Sequence, residues 1–130
     1  MVELVIALTI VAILATVAYP GLMNQIRKAR RSDAMDFASR IQQLQERYRV
    51  NNTTYAASIA ALGLASGAST NGYYTLTSAA GAGGAAGSAY AVTAVVVAGT
   101  SQASDTACTT MTVTLSAGVL SYTPATCWGR

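Results

Sequence analysis

The amino-acid sequence opens with an almost uninterrupted apolar run. From Leu4 to Met23 most residues are Val, Ile, Leu or Ala, and Glu3 is the only charge before Asn24. About twenty helical residues, each rising roughly 1.5 Å, match a hydrocarbon core of roughly 30 Å. A helix that is apolar on every face has to be buried in lipid or among other helices. The rest of this chain is too short to bury it, so the pattern predicts a helix that something outside this polypeptide covers.

An amphipathic pattern follows, from Asn24 to Val50. Its apolar positions recur at spacings of four, three and four residues, at Phe37, Ile41, Leu44 and Tyr48. Ala34 extends the same stripe toward the N-terminus. This spacing is typical of a helix with one face packed on a domain. Turn-forming residues at 51–54 then end the helix.

Pro20 and Gly21 interrupt the helical pattern. Proline has no N–H to bond the carbonyl of Thr16, and its ring crowds that carbonyl, while glycine adds backbone freedom. We therefore predict a kink at this point within one long helix, which runs from Met1 to Val50 and measures about 70 Å by its rise.

Beyond Gly72 the hydrophobic period shortens to two, which is typical of strands. The sequence predicts four of them: Tyr73–Thr77, Tyr90–Val97, Thr110–Leu115 and Val119–Thr123. The second is apolar at nearly every position and should be the most buried, and the third should point Met111, Val113 and Leu115 inward. Ala117-Gly118 predicts a tight turn between the last two.

The connecting segments are predicted from their turn residues. A short helix within Tyr55–Leu64 should be anchored by Ile59 and Leu62, and Ser66–Asn71 should be a loop. The glycine-rich stretch from Gly81 to Ser88 is interpreted as a flexible connector, because no lysine follows it as a nucleotide-binding loop would need.

These elements predict an α+β fold, with one long helix laid across one face of an antiparallel sheet of about four strands. We divide the chain into an apolar half-helix at 1–24 and a globular head at 25–130. Within the head, 25–50 is the amphipathic half-helix, 51–72 the connection, and 73–130 the sheet with the two cysteines.

Charge is scarce and concentrated. Charged residues make up 10% of the 130 residues, for a net charge of +3, and beyond Val50 only Asp105 and Arg130 are charged. The other cations lie in one segment: Arg27, Lys28, Arg30, Arg31, Arg40, Arg47 and Arg49. Basic clusters are more often solvated or lipid-facing than DNA-binding, and the densest part of this one lies next to the apolar run. DNA binding by Arg27–Arg31 or by the head is therefore a secondary interpretation.

The inventory of reactive residues predicts neither an enzyme nor a cofactor or metal site. The chain has no histidine and few, scattered acids, so no pairing of a nucleophile with a base can be assembled. Cys108 and Cys127 alone are too few for a zinc site. In an exported domain they should form a disulfide, closing a loop of about twenty residues worth roughly 3 kcal/mol. Two buried thiols are the alternative.

Glu3 carries a free-energy cost at the start of this apolar segment. An acid within a membrane costs roughly 2.5–3.5 kcal/mol at the centre and less near the surface. A partner for the carboxylate would explain its presence, and the positive end of the helix dipole also favours it. An ordinary position at the level of the lipid headgroups is the alternative.

The start M-V-E-L-V-I-A-L-T-I-V-A-I-L-A, with Tyr19-Pro20 closing the run, resembles the N-terminus of type IV pilins. Glu3 falls on the family's glutamate and Pro20 on its proline. The resemblance implies that Glu3 pairs with the α-amino group of an adjacent subunit. It also implies an N-methylated phenylalanine and a small residue ahead of Met1, after removal of a leader by a prepilin peptidase. In some filaments of this family the segment before the proline loses its helical structure.

The resemblance implies a structural subunit of a bacterial type IV pilus, which serves adhesion, twitching motility or DNA uptake. Such a subunit waits in the inner membrane with its head in the periplasm, then joins a homo-oligomeric helical filament through pilus assembly machinery. Cations after an apolar run would by themselves place the head in the cytoplasm, but the resemblance outweighs that rule. A minor pilin, a type II secretion pseudopilin and a pilus-borne DNA-binding module are the alternatives.

Overall fold

The computed structural model describes residues 2–129, so the predicted start of the helix at Met1 lies outside the described residues. One helix, α1, runs from Val2 to Asn51 and passes through Pro20 without a break. The four strands are β1 (Tyr74–Ala80), β2 (Ala89–Val96), β3 (Thr110–Ser116) and β4 (Val119–Thr123). Single turns of 3-10 helix lie at Ala60–Leu62, Ser101–Ser104, Thr106–Cys108 and Ala125–Trp128. The α+β class and the four-stranded antiparallel sheet are confirmed.

The first half of α1 touches nothing in the head. Every described residue up to Leu22 is exposed, and α1 is long and apolar enough to cross a membrane. Large apolar side chains cover the whole circumference of this segment, among them Val2, Leu4, Ile6, Leu8, Ile10, Ile13, Leu14 and Val17.

The sheet is an antiparallel meander in the order β1-β2-β3-β4. Alternation of the side chains puts Leu76 of β1, Val92 of β2 and Val113 of β3 in the core. The predicted turn between β3 and β4 is confirmed at Ala117 and Gly118, whose φ angles of 48° and 82° suit a two-residue hairpin. Because both angles are positive, glycine is favoured there over other residues.

The helix face that packs on the sheet is rotated from the predicted one. Its buried residues are Asp33, Ala34, Ala38, Ile41 and Gln45. Phe37, Leu44 and Tyr48, predicted to be central, lie at the flank and are half-buried. Small alanine side chains at the centre allow α1 to approach the sheet closely, which the apolar periodicity alone did not indicate.

Gln45 replaces the expected apolar residue at the centre of this face because its amide is fully bonded. Its Nε2 donates to the carbonyl of Ala56 at 2.9 Å and to the hydroxyl of Ser78 at 2.7 Å. Its Oε1 accepts the backbone N–H of Ala56 at 2.8 Å. A buried amide is stable where every donor and acceptor has such a partner, so a polar residue joins α1, the connecting loop and β1.

Candidate functional site

A salt bridge fixes the long loop between β2 and β3 to the helix. Arg31 donates from Nε and Nη2 to the two carboxylate oxygens of Asp105, each at 2.7 Å. The Asp105 hydrogen bond raises the pKa of Arg31, and this paired fork is the strongest geometry for such ions. Gln102 and Tyr74 complete the cluster: Gln102 Nε2 donates to Asp105 at 2.9 Å and to the Tyr74 hydroxyl at 3.1 Å.

Two more arginines hold the same loop. Arg27 donates to the hydroxyl of Ser104 at 3.2 Å, and Arg30 to that of Ser101 at 2.7 Å. The guanidinium of Arg30 also lies 4.5 Å from the ring centre of Tyr73, within cation–π range. The loop is therefore seated on α1 just beyond the apolar half-helix.

The disulfide secures the end of this loop. Cys108 and Cys127 are bonded, with their Cα atoms 5.7 Å apart, and both are buried. Next to Cys127, Trp128 packs edge-on against Tyr122 at 5.2 Å between ring centres. The bond thus ties the C-terminal turn to the loop that the arginines hold. The same bond in the exported protein remains a prediction.

Three other cations of α1 have side chains without a partner in the described chain. Arg40 and Arg47 are exposed on the side of the helix away from the sheet, and Lys28 is exposed on the flank beside the C-terminal turn. Asp36 is exposed beside Arg40 at i,i+4 spacing. The cations that face the head are bonded to it, while those on the opposite side remain available to a partner.

Two open clefts flank the helix. One, of about 280 Å³, lies beside Arg47 and is lined by Tyr48, Asn51 and Leu62 among others. The other, of about 350 Å³, lies between Met35 and the C-terminal turn, with Lys28 at its edge. Across residues 2–129 no group of ligating side chains could hold a metal ion.

The residues predicted to function in subunit assembly, in the helix kink and in the disulfide do not form one site. Glu3 is exposed in the first turn of α1, and within the described chain no side chain pairs with it. Its distance from Arg27 along α1 is about 36 Å by helical rise. Pro20 and Gly21 lie between, and Cys108 and Cys127 are in the head.

Sequence reasoning missed the Arg31–Asp105 pair and the buried Gln102. The signal that could have found the pair is the isolation of Asp105, which is the only charged residue between Asn51 and Gly129. An acid retained in so uncharged a stretch is best explained by an ionic partner elsewhere in the fold.

A long helix, apolar and bare in its first half, packed on a four-stranded antiparallel sheet, is the architecture of a type IV pilin-like protein. The chain belongs to the family described as "Type IV minor pilin ComP, DNA uptake sequence receptor", whose model matches residues 20–112, more than half of the chain. The match covers the second half of α1, the strands β1 and β2, and the first three residues of β3. No curated protein matches the chain.

Proposed function

We propose that this chain is a minor subunit of a bacterial type IV pilus, and that its head is a receptor for DNA. The observation that carries the filament role is the bare first half of α1, whose large apolar side chains are all exposed. The division into an assembly half-helix at 1–24 and a head at 25–130 is part of this proposal.

Before assembly the half-helix lies in the inner membrane, with the head in the periplasm, and in the filament it packs among the helices of other subunits. Lipid and neighbouring helices are both apolar, so assembly exchanges one apolar environment for another. Extraction from the membrane then needs a motor outside this chain. No catalytic role enters this proposal.

Glu3 sets the axial position of the incoming subunit in this proposal, by pairing with the α-amino group of a neighbour. Leaving one such group without its partner costs roughly 3–5 kcal/mol in an apolar surrounding. We expect Glu3→Ala and Glu3→Gln to insert normally into the membrane but to enter filaments poorly. The measurement is the ratio of subunit in sheared filaments to monomer in the membrane.

Thr9→Ala is the matched control for Glu3. It removes a polar group from the same exposed half-helix, where the hydroxyl of Thr9 bonds only the carbonyl of Val5 within the helix. We expect normal incorporation of this variant. Normal incorporation of Glu3→Gln would contradict charge pairing.

The DNA role is supported by the family's description and by the concentration of cations on α1. Cations that neutralise phosphates release counterions, so DNA affinity should fall steeply as salt rises. The test uses a DNA duplex of about 30 base pairs, which spans roughly three helical turns. Its binding to the full chain in lipid nanodiscs is measured over a range of salt concentrations. Absence of binding at low salt would rule out the DNA role and leave the filament role standing.

A further inference from the structure

We propose that DNA contacts one exposed stripe at the far end of α1, and not the Arg27–Arg31 cluster. We call this stripe the distal patch; it consists of Arg40, Gln43, Arg47 and Asn51. The inference rests on the proposed DNA role and names the surface that performs it.

The sheet side of the head offers no described cation to a polyanion. From Asn51 to Gly129 its only charged residue is Asp105, an acid already paired with Arg31. Phosphate neutralisation supplies most of the affinity of non-specific DNA binding. Within the described chain the cations that contact phosphate must therefore come from α1.

The cations of α1 differ in whether their side chains point toward the head and bond to it. Arg27, Arg30 and Arg31 point to the β2–β3 loop and donate to Ser104, Ser101 and Asp105. Arg49 is similarly occupied, donating to the carbonyls of Gly87 and Asn52. A shift of any of these side chains to a phosphate would cost contacts that hold the head together.

A shift of the Arg40 or Arg47 side chain to a phosphate would break no contact of this kind. Both are exposed and have no side-chain partner in the described residues. Seven residues make two helical turns, so they lie on one face, about 10 Å apart along the axis. A duplex carries about six phosphate charges over that length, so both guanidinium groups can reach a phosphate at the same time.

The distal patch also carries groups that contact bases. Gln43 and Asn51 are exposed on the same stripe, and their amides can bond base edges. The cleft of about 280 Å³ beside Arg47 adds the half-buried ring of Tyr48 and the side chain of Asn52.

Distance from the membrane separates the distal patch from Lys28, the other cation of the described residues whose side chain has no partner. By helical rise from Met23, the last residue of the apolar run, Lys28 lies about 7.5 Å away, whereas Arg40 and Arg47 lie about 26 and about 36 Å away. The headgroup layer on each side of a bilayer is only about 5–8 Å deep. Lys28 is therefore within reach of lipid headgroups, and the distal patch is clear of them.

The test compares full-length variants in phosphatidylcholine nanodiscs, with the same duplex and a salt titration. Two phosphate contacts, at a slope of about −0.9 each in log affinity against log salt, amount to roughly 30-fold in affinity at about 0.15 M salt. We expect Arg40→Gln/Arg47→Gln to weaken binding by about that factor and to reduce the slope by about 2. Asp36→Asn removes an exposed acid next to Arg40 and should tighten binding, which a folding defect would not do.

Lys28→Gln is the matched control, because it removes an exposed, unpartnered cation from the same helix. We expect a change of less than about threefold, since the headgroups keep DNA from this position. If the unaltered chain does not bind DNA, the proposed DNA role fails, and with it this inference.

If the chain binds and the double variant retains its affinity, the distal patch is not the DNA surface, although the DNA role stands. An equal loss in Lys28→Gln would move the surface to the membrane-proximal cluster and overturn the inference. So would a double variant that binds DNA normally but fails to enter filaments, because the distal patch would then be a subunit interface.

Discussion

Gln45 and Gln102 are both completely buried, yet they differ in how well their amides are satisfied. Every polar atom of the Gln45 amide is bonded to Ala56 or Ser78. Gln102 bonds through Nε2, but among the described residues its Oε1 and the nearby Nε of Arg27 have no partner. A buried amide contributes specificity and stability only where it is satisfied, so Gln45 is the more sensitive position of the two.

Gln45→Ala should be among the most damaging single changes in the head. It leaves the backbone N–H and C=O of Ala56 and the hydroxyl of Ser78 without partners, and it opens a cavity. We expect a loss of about 3 kcal/mol in the free energy of unfolding. Urea unfolding of the full chain in detergent, followed by circular dichroism, measures it.

Gln43→Ala makes the same chemical change on the exposed side of the same helix. Its free energy of unfolding should stay within about 0.5 kcal/mol of the unaltered chain. Equal losses in the two variants would mean that the bonds of Gln45 do not hold α1 to the sheet.

The elements that local pattern decides could be predicted from the sequence. β3 has strict alternation and β4 follows a turn that needs positive φ angles, and both begin and end within one residue of expectation. β1 begins one residue later than predicted and extends to Ala80, three residues past its predicted end, because its last three residues pair with 90–92 of β2. The short helix predicted within Tyr55–Leu64 is confirmed as a single turn, with Ile59 and Leu62 packed at the core edge.

What the sequence did not reveal depends on partners far apart in the chain. Arg31 and Asp105 are 74 residues apart, and no periodicity within a window of ordinary length links them. The same holds for the rotation of the buried face of α1, which follows from the bonds of Gln45 to residues in two other elements. Apolar spacing locates a helix face approximately, but polar pairing decides its centre.

Gly67 shows how closely the segment before β1 is applied to that strand. The N–H of Leu76 donates to the carbonyl of Gly67 at 2.6 Å. A Cβ at position 67 would overlap the carbonyl oxygen of Leu76 and would lie 3.0 Å from Cδ1 of Ile59. Since a backbone oxygen of a paired strand cannot move freely, we expect Gly67→Ala to cost about 3 kcal/mol.

Gly21→Ala is the control for this prediction, because a Cβ there meets nothing within 4 Å. It lies outside the head, and alanine favours a helix over glycine by up to about 1 kcal/mol. We expect it to leave the thermal unfolding of the head unchanged, while Gly67→Ala lowers the midpoint. A normal midpoint for Gly67→Ala would show that the segment can separate from β1.

Apolar, charged and uncharged segments are separated along the length of the molecule. The first half of α1 is uncharged apart from a single acid, the second half carries nearly all the cations, and the sheet is almost uncharged. Few ion pairs therefore stabilise the head, and burial of uncharged side chains has to hold it together. Two of the largest of these side chains, Tyr74 and Tyr90, are titratable, which makes the stability of the head depend on pH at the alkaline end.

Burial raises the pKa of Tyr74 and of Tyr90 above the ordinary value of 10.0. Above about pH 10 the unfolded chain loses these protons while the folded chain keeps them, so the unfolded state is favoured as pH rises. The free energy of unfolding should be steady from neutral pH to about pH 10. It should then fall, by at most about 1.4 kcal/mol per pH unit for each such tyrosine, until the pH reaches the pKa of that side chain in the folded chain. Arg31 stays charged throughout this range because arginine does not lose its proton in proteins.

Tyr74→Phe tests the cause of this alkaline loss. It costs about 1 kcal/mol at neutral pH, because the hydroxyl bonds the carbonyl of Cys108 at 3.2 Å. Above pH 10 the variant should lose stability at a shallower slope, since one fewer buried phenol titrates. Tyr19→Phe, on the exposed half-helix, is the control for loss of a hydroxyl and should leave the free energy of unfolding of the head unchanged at neutral pH. The measurement is urea unfolding at a series of pH values, with tyrosinate absorbance recorded on the folded chain. Ionisation of every tyrosine near pH 10 without unfolding would refute the argument, because a buried phenol cannot carry its charge at so small a cost.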